Sequence, residues 1–237
     1  MSRRAVILAG GRGTRLRPYT VVLPKPLMPI GEYPILEVIV RQLINAGFDH
    51  ITMAVNHQAE IIKAFFKNGE RWGVRIDYSL EEHPLGTMGP LKLISDLPEN
   101  FLVMNGDILS DLDYANFFDE HVRQKELFTI SSMKREHRID YGVLEANEAG
   151  KLIAFREKPQ TTYLVSMGVY MLSSRVLERI PSGRAFGFDT LMLDLLDASQ
   201  PAHVRPFNGY WLDIGRPEDY ERAIDEFEAM KGRFLSA

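Results

Sequence analysis

Short apolar runs alternate with stretches of helical spacing from Val6 to Met104, and no other feature constrains the fold as tightly. Val6 to Ala9 reads as a buried strand that stops at Gly10-Gly11. Ile35 to Ala46 places Ile35, Val38, Ile39 and Leu43 on one helical face, and Gly47 ends it. Ile51 to Val55 reads as a strand, Ala59 to Phe66 as a helix, Val74 to Leu80 as a strand and Pro90 to Leu97 as a helix. Phe101 to Met104 is a further buried strand, ending at Asn105-Gly106-Asp107. Such alternation predicts a parallel sheet covered by helices on both faces. Ligands of these sheets sit at the carboxyl ends of the strands, where Gly10-Gly11 and Gly106-Asp107 both fall.

After about residue 127 the pattern changes. Thr129 to Met133, Gly142 to Glu145, Leu152 to Phe155 and Val169 to Leu172 read as strands, with a hairpin turn at Asn147-Glu148-Ala149-Gly150. Two short helices follow around Val176 and Leu191, then a strand from Tyr210 to Ile214. A last helix is signalled by Pro217 in its first turn, by Glu218 and Asp219 at its positive end, and by the stripe Tyr220, Ala223, Ile224 and Phe227. No internal repeat, low-complexity tract or linker interrupts the chain. The expected architecture is an α/β fold over residues 1–237: a Rossmann-like mixed, largely parallel sheet flanked by helices. Residues 1–126 would form the core; residues 127–237 would add a smaller mixed lobe, the last core strand and the terminal helix.

The segment Gly10-Gly11-Arg12-Gly13-Thr14-Arg15-Leu16-Arg17 follows the first strand directly. Its glycines let backbone approach a ligand closely and turn N–H groups inward, and with the guanidiniums they make a pocket for a polyphosphate. Taken alone it also describes a tight turn with solvated arginines. It is not a P-loop, which needs Gly-Lys followed by Ser or Thr. Nor is it the dinucleotide fingerprint, because Leu16 or Pro18 stands at the final glycine. Lys25, between Pro24 and Pro26, has a constrained backbone that suits a cation held near phosphate, or simply a rigid loop with an exposed lysine.

Leu8-Ala9-Gly10-Gly11-x-Gly13-Thr14-Arg15-Leu16, followed by Pro24-Lys25-Pro26, closely resembles the sugar-1-phosphate nucleotidylyltransferases. The likeness continues in order to about residue 225. It implies that Leu8, Ala9, Gly10, Gly11, Gly13, Thr14 and Asn105 bind the nucleotide and that Arg15 and Lys25 neutralise its phosphates. Asp107 and Asp213 each end a strand, and two such carboxylates can share one Mg2+, which prefers oxygen ligands and phosphates. Alone, each would more often cap a helix or a turn; the resemblance puts both at the metal. Tyr141, Gly142, Glu157 and Lys158 match the family's sugar-phosphate lobe. Ser166-Met167-Gly168 departs from it, standing where relatives often have Asn-Ala-Gly. Glu81-Glu82-His83-Pro84-Leu85-Gly86-Thr87 resembles the base-reading loop, implicating Glu81, Pro84, Gly86 and Thr87. Similar loops occur in guanylyltransferases acting on mannose or heptose 1-phosphates. A carboxylate only accepts, and guanine offers two adjacent donors where uracil and thymine offer one, so GTP is the expected triphosphate.

The expected reaction is in-line attack of a sugar 1-phosphate oxygen on the α-phosphorus of the triphosphate. The nucleophile is already an anion, so charge neutralisation and positioning carry the chemistry and no general base is needed. The six histidines (50, 57, 83, 121, 137 and 203) show no metal or triad spacing. The same chemistry with UTP, CTP or dTTP and a hexose 1-phosphate remains open. More distant readings are a glycosyltransferase using Asp111-Leu112-Asp113 for its metal, and a non-catalytic nucleotide-sugar sensor. The absence of cysteine excludes disulfides, zinc-thiolate sites and thiol nucleophiles. A net charge of −4 argues against a nucleic-acid partner. No run approaches the roughly 18 apolar residues of a membrane span. Met1-Ser2-Arg3-Arg4 and the following apolar run resemble a signal peptide only superficially, so a cytoplasmic location is expected. No hexapeptide repeats of a C-terminal β-helix are present, and nothing indicates an oligomeric state.

Overall fold

The computed structural model describes residues 2–56 and 58–235; Met1, His57, Ser236 and Ala237 lie outside the described residues. In chain order, β1 (Arg4–Leu8), β2 (Pro29–Ile30), β3 (Tyr33–Pro34), α1 (Ile35–Asn45), β4 (His50–Val55), α2 (Ala59–Phe66), β5 (Arg75–Leu80) and β6 (Asn100–Asn105) make up the first half. They are followed by β7 (Ile108–Ser110), α3 (Tyr114–Gln124), β8 (Phe128–Arg138), β9 (Val143–Ala146), β10 (Leu152–Arg156) and β11 (Gln160–Ser173). The chain continues through α4 (Phe188–Asp197), β12 (His203–Phe207), β13 (Trp211–Asp213) and α5 (Pro217–Phe234).

Seven strands form one sheet in the order β12-β8-β11-β6-β1-β4-β5. β6, β1, β4 and β5 are parallel neighbours, β12 runs parallel to β8, and β11 is antiparallel to both β6 and β8. The expected α/β fold, a largely parallel sheet flanked by helices, is therefore the one formed. Strand periodicity sorts the core onto two faces. Ala5 and Ile7 of β1 pack with Ile35 and Val38 of α1, Ile62 of α2 and Phe227 of α5. Val6, between them, joins Val103, Leu172 and Leu191 of α4 on the opposite face. Each of the larger of these side chains, fully buried, contributes roughly 1.5–3 kcal/mol.

The smaller lobe grows out of this sheet. β8 and β11 run on beyond the core as a long antiparallel pair, from Ser166↔Ser132 out to Gln160↔Arg138, and the β9–β10 hairpin stands beside them. Both strands are longer than their apolar runs predict. Their outer halves are held by ladder pairing and are largely solvated, so hydrophobicity does not mark them. Pro90 to Leu97, expected as a helix, forms only a 3-10 turn at Gly89–Leu93. Ile94 turns extended at φ −104° and ψ 104°, ending the turn, and the Asp96 carbonyl beyond it accepts from the Arg4 guanidinium at 2.9 Å. β12 escapes sequence reading because Pro206 lies within it, a residue tolerated only in an edge strand. Among the described residues no helix is long and apolar enough to cross a membrane.

His121 of α3 is buried against β8, with Nδ1 2.8 Å from the Thr129 hydroxyl. Burial, and then the neighbouring His203, draw its pKa from 6.5 down to about 4. Between those values the unfolded chain binds a proton that the folded protein refuses, so stability falls as pH drops from 6.5 towards 4. The expected loss is on the order of 3 kcal/mol at 1.36 kcal/mol per pH unit. Urea denaturation at the two pH values reads it, and in His121→Gln the dependence should flatten by about that amount.

Candidate functional site

The carboxyl ends of four parallel strands lie in a row: Asn105 ends β6, Leu8 ends β1, and Asn56 and Glu81 each follow the last residue of β4 and β5. Above them opens a cavity of about 480 Å3. Leu8, Ala9, Gly10, Gly11, Gly13, Thr14, Arg15, Lys25, Glu81, Pro84, Gly86, Thr87, Asn105 and Asp107 all line it, as do Asn56, Arg12, Pro26, Gly106 and Gly215. The structure thus brings together the glycine loop, the Pro-Lys-Pro segment and the Glu81 loop, which are far apart in sequence.

The glycine loop closes onto Lys25. Gly13 has φ +59°, and a Cβ there would come within 2.9 Å of both the Lys25 Cβ and the Thr20 methyl. The Thr20 hydroxyl donates to the Gly13 carbonyl at 2.7 Å. A side chain at residue 13 would therefore be strained in backbone and in contact at once. Lys25 opens a 3-10 turn in which Leu27 N–H donates to the Pro24 carbonyl at 2.8 Å. Its ammonium reaches across the cavity floor and pairs with Asp107.

Asp213 arrives beside it through β13, whose Asp213 lies opposite Ile108 of β7. Its Oδ1 accepts the Gly215 N–H at 3.0 Å. A Cβ on Gly215 would collide with the Lys25 Nζ and stand 2.9 Å from Asp213 Oδ1, so lysine and both carboxylates share one small space. Burial lowers the Lys25 pKa to about 8, Asp213 opposes that fall, and Arg15 adds to it. Two carboxylates already drawn round one ammonium form an oxygen-only donor set suited to a hard cation. Among the described residues no group of three or more His, Cys, Asp or Glu could hold a metal alone. Any ion at Asp107 and Asp213 would need further oxygens from substrate or water.

Glu81 is buried, and burial raises its pKa while the Leu85 N–H opposes the rise. Its Oε2 accepts that N–H at 3.1 Å, and Oε1 lies 3.0 Å from where a Gly10 Cβ would be. The loop after it is strapped to the segment before α4. Phe186 N–H donates to the Leu85 carbonyl at 2.8 Å, and Met88 and Gly89 N–H donate to the Phe186 carbonyl at 3.0 and 3.1 Å. The Thr87 hydroxyl accepts from Phe188 N–H at 2.7 Å, so Thr87 ties the loop down as well as facing the cavity. Gly86, at φ +77°, passes so close to Phe186 that a Cβ would fall 2.8 Å from its carbonyl oxygen.

The lobe residues stand apart from the cavity walls. Tyr141, Gly142, Glu157 and Lys158 are exposed, and a Cβ on Gly142 would meet the exposed Phe155 ring and lie 3.3 Å from Glu157 Oε2. Gly168, at φ +74°, touches Asn105, joining β11 to the cavity at a register shift between Ser166 and Tyr170. Ser166 is engaged within this bulge: its hydroxyl accepts from Gly168 N–H at 3.2 Å and donates to Tyr170 at 3.1 Å. Met167 is buried against Ser131, so its extra bulk points into the core and does not crowd the cleft.

The Asp111-Leu112-Asp113 pattern is structural. Asp113 caps α3 by accepting Asn116 N–H at 2.9 Å, while Asp111 accepts Tyr210 N–H at 2.6 Å and pairs with Arg233. Neither carboxylate is available as the metal pair of a glycosyltransferase. Among the described histidines none lines the cavity. Asn56 was missed by sequence reading, although it follows a strand in the same way as Gly10.

Residues 4–229 match the nucleotidyl transferase family. The chain is 35% identical to a UTP–glucose-1-phosphate uridylyltransferase of Synechocystis sp., over 93% of this chain and 62% of that protein. It is 32% identical to a mannose-1-phosphate guanylyltransferase of Mycobacterium tuberculosis, over 92% of this chain and 62% of that one. The chain therefore spans less than two thirds of the length of these curated relatives. Among solved structures it resembles HddC from Yersinia pseudotuberculosis, at 30% identity and TM-score 0.74, covering 95% of this chain and 99% of that one. The same protein solved in complex with GMP-PN matches at 29% identity and TM-score 0.72, with the same coverage.

Proposed function

Because this chain belongs to the nucleotidyl transferase family, we propose that it transfers a nucleoside monophosphate from a triphosphate to a sugar 1-phosphate, releasing pyrophosphate. GTP is the favoured triphosphate, and a mannose- or heptose-type sugar 1-phosphate the favoured acceptor. One observation carries this reading: a single cavity is lined by the glycine loop, by Lys25 paired with Asp107, and by the buried Glu81, with Asp213 close beside the lysine. This lining suits a triphosphate on the glycine loop with its base at Glu81.

In this reading the inward N–H groups of the loop, with Arg15 and Lys25, hold the phosphates and spread the charge that builds at the α-phosphorus. Asp107 and Asp213 would hold Mg2+, which when bound supplies charge neutralisation to the phosphate oxygens. Glu157 and Lys158 of the lobe receive the acceptor, the carboxylate taking sugar hydroxyls and the ammonium the phosphate; Tyr141, Gly142, Ser166 and Gly168 shape that side. Orientation of two anions for in-line attack is the main task, so no side chain has to remove a proton from the nucleophile.

A second reading keeps the chemistry and changes the base. The uridylyltransferase relative is as similar to this chain as the guanylyltransferase one, which supports UTP with a hexose 1-phosphate. Glu81 separates the two. In Glu81→Gln one acceptor oxygen becomes a donor, and the preference for GTP over UTP should fall by about tenfold, the worth of one net hydrogen bond. Initial rates of pyrophosphate release with each triphosphate measure it. Unchanged selectivity would remove Glu81 from base recognition.

A further inference from the structure

Asn56 occupies the position between the glycine loop and Glu81, where β4 ends between β1 and β5. Its backbone carbonyl is engaged, accepting Ala59 N–H at 3.3 Å. Among the described residues its side-chain amide has no hydrogen-bond partner, although the residue is only half-buried and faces the cavity. Gly10 packs tightly against both residues: a Cβ on it would lie 3.0 Å from Glu81 Oε1, 3.2 Å from Asn56 Cβ and 3.4 Å from the Asn56 backbone nitrogen. Asn56 and Glu81 therefore flank Gly10 on one wall of the cavity, where a single ligand group can meet both.

The chemistry of the two side chains is complementary in a specific way. Glu81 has one oxygen committed to Leu85 N–H and presents the other, which as a carboxylate only accepts. Asn56 adds an amide that donates. An acceptor beside a donor matches a ring N–H beside a carbonyl, which is the edge that guanine and uracil share. With Glu81 on the ring nitrogen and Asn56 on the exocyclic group, adenine and cytosine turn a lone pair to the carboxylate and an amino group to the donating amide. We propose that Asn56 is a specificity-determining residue that donates to the carbonyl of an oxo base whose ring N–H is accepted by Glu81. This rests on the nucleotide reading given above. The pair sorts oxo bases from amino bases, and the second donor of guanine is what then separates GTP from UTP at Glu81.

The test measures binding separately from turnover. Dissociation constants for GTP, UTP, ATP and CTP with Mg2+, and no acceptor, are obtained by calorimetry for the unmodified protein, Asn56→Ala and Asn56→Asp. Thermal melts show that each variant is folded. The unmodified protein should bind GTP and UTP at least about tenfold more tightly than ATP and CTP. Asn56→Ala should weaken GTP and UTP by about tenfold and leave ATP and CTP unchanged. The near-isosteric Asn56→Asp should weaken the oxo bases further and improve one of the amino bases. Equal loss for all four triphosphates, no change, or an unmodified protein that binds the four alike or binds none would overturn the proposal. Failure of the transferase reading looks different: selective binding persists, but no pyrophosphate appears with any sugar 1-phosphate.

Discussion

Asp107→Asn and Asp213→Asn are each expected to lower magnesium-dependent pyrophosphate release by about 10²–10³-fold, the scale of removing one preorganised charge-stabilising group. Both replacements are nearly isosteric. Asn at residue 213 can still accept the Gly215 N–H that Asp213 Oδ1 takes at 3.0 Å, so the turn into α5 should survive. Asn at residue 107 loses the ion pair with Lys25 but keeps the backbone carbonyl that accepts Ile214 N–H at 3.0 Å. The expected result is therefore a folded protein with weakened Mn2+ binding, read by electron paramagnetic resonance, and a collapsed rate. An unaffected rate in either variant would remove that residue from the metal site.

Lys25→Met should cost a similar factor, about 10²–10³, since the ammonium pairs with Asp107 and stands beside Asp213. Lys25→Arg should not restore the rate. Gly215 lies directly against the Lys25 Nζ, and Gly13 crowds its Cβ, so a broad planar guanidinium has no room where the compact ammonium fits. Both variants should melt close to the unmodified protein, because the turn at Lys25–Leu27 is held by backbone hydrogen bonds from Leu27 and Met28. Full activity in Lys25→Arg would mean that only the charge matters and that the tight packing around residue 25 does not.

The half of the fold that surrounds the cavity was the most legible in sequence. β1, β4 and β6 are buried strands and β5 is the half-exposed edge strand; each ends within two residues of the apolar run that signals it, and α2 matches its run at both ends. The outer lengths of β8 and β11 were not legible. Residues such as Lys134, Glu136 and His137 carry no apolar periodicity, and only the partner strand shows that they are extended. Strand-end glycines and aspartates pointed to the cavity because few residue types tolerate those positions. Asn56 gave no such signal, since asparagine after a strand is ordinary until Gly10 and Glu81 are seen on either side of it. The role of Thr87 in strapping its loop to Phe188 was hidden for the same reason: its partner lies 101 residues away.

The fate of the α-phosphorus tests the central claim most directly. The protein is incubated with Mg2+, a mannose or heptose 1-phosphate, and GTP labelled at either the α- or the γ-phosphorus. The account predicts that the α label appears in a nucleotide-sugar and the γ label in pyrophosphate, in equal amounts. A γ label found in the sugar product or as inorganic phosphate, or an α label that never joins the sugar with GTP or UTP, would contradict it.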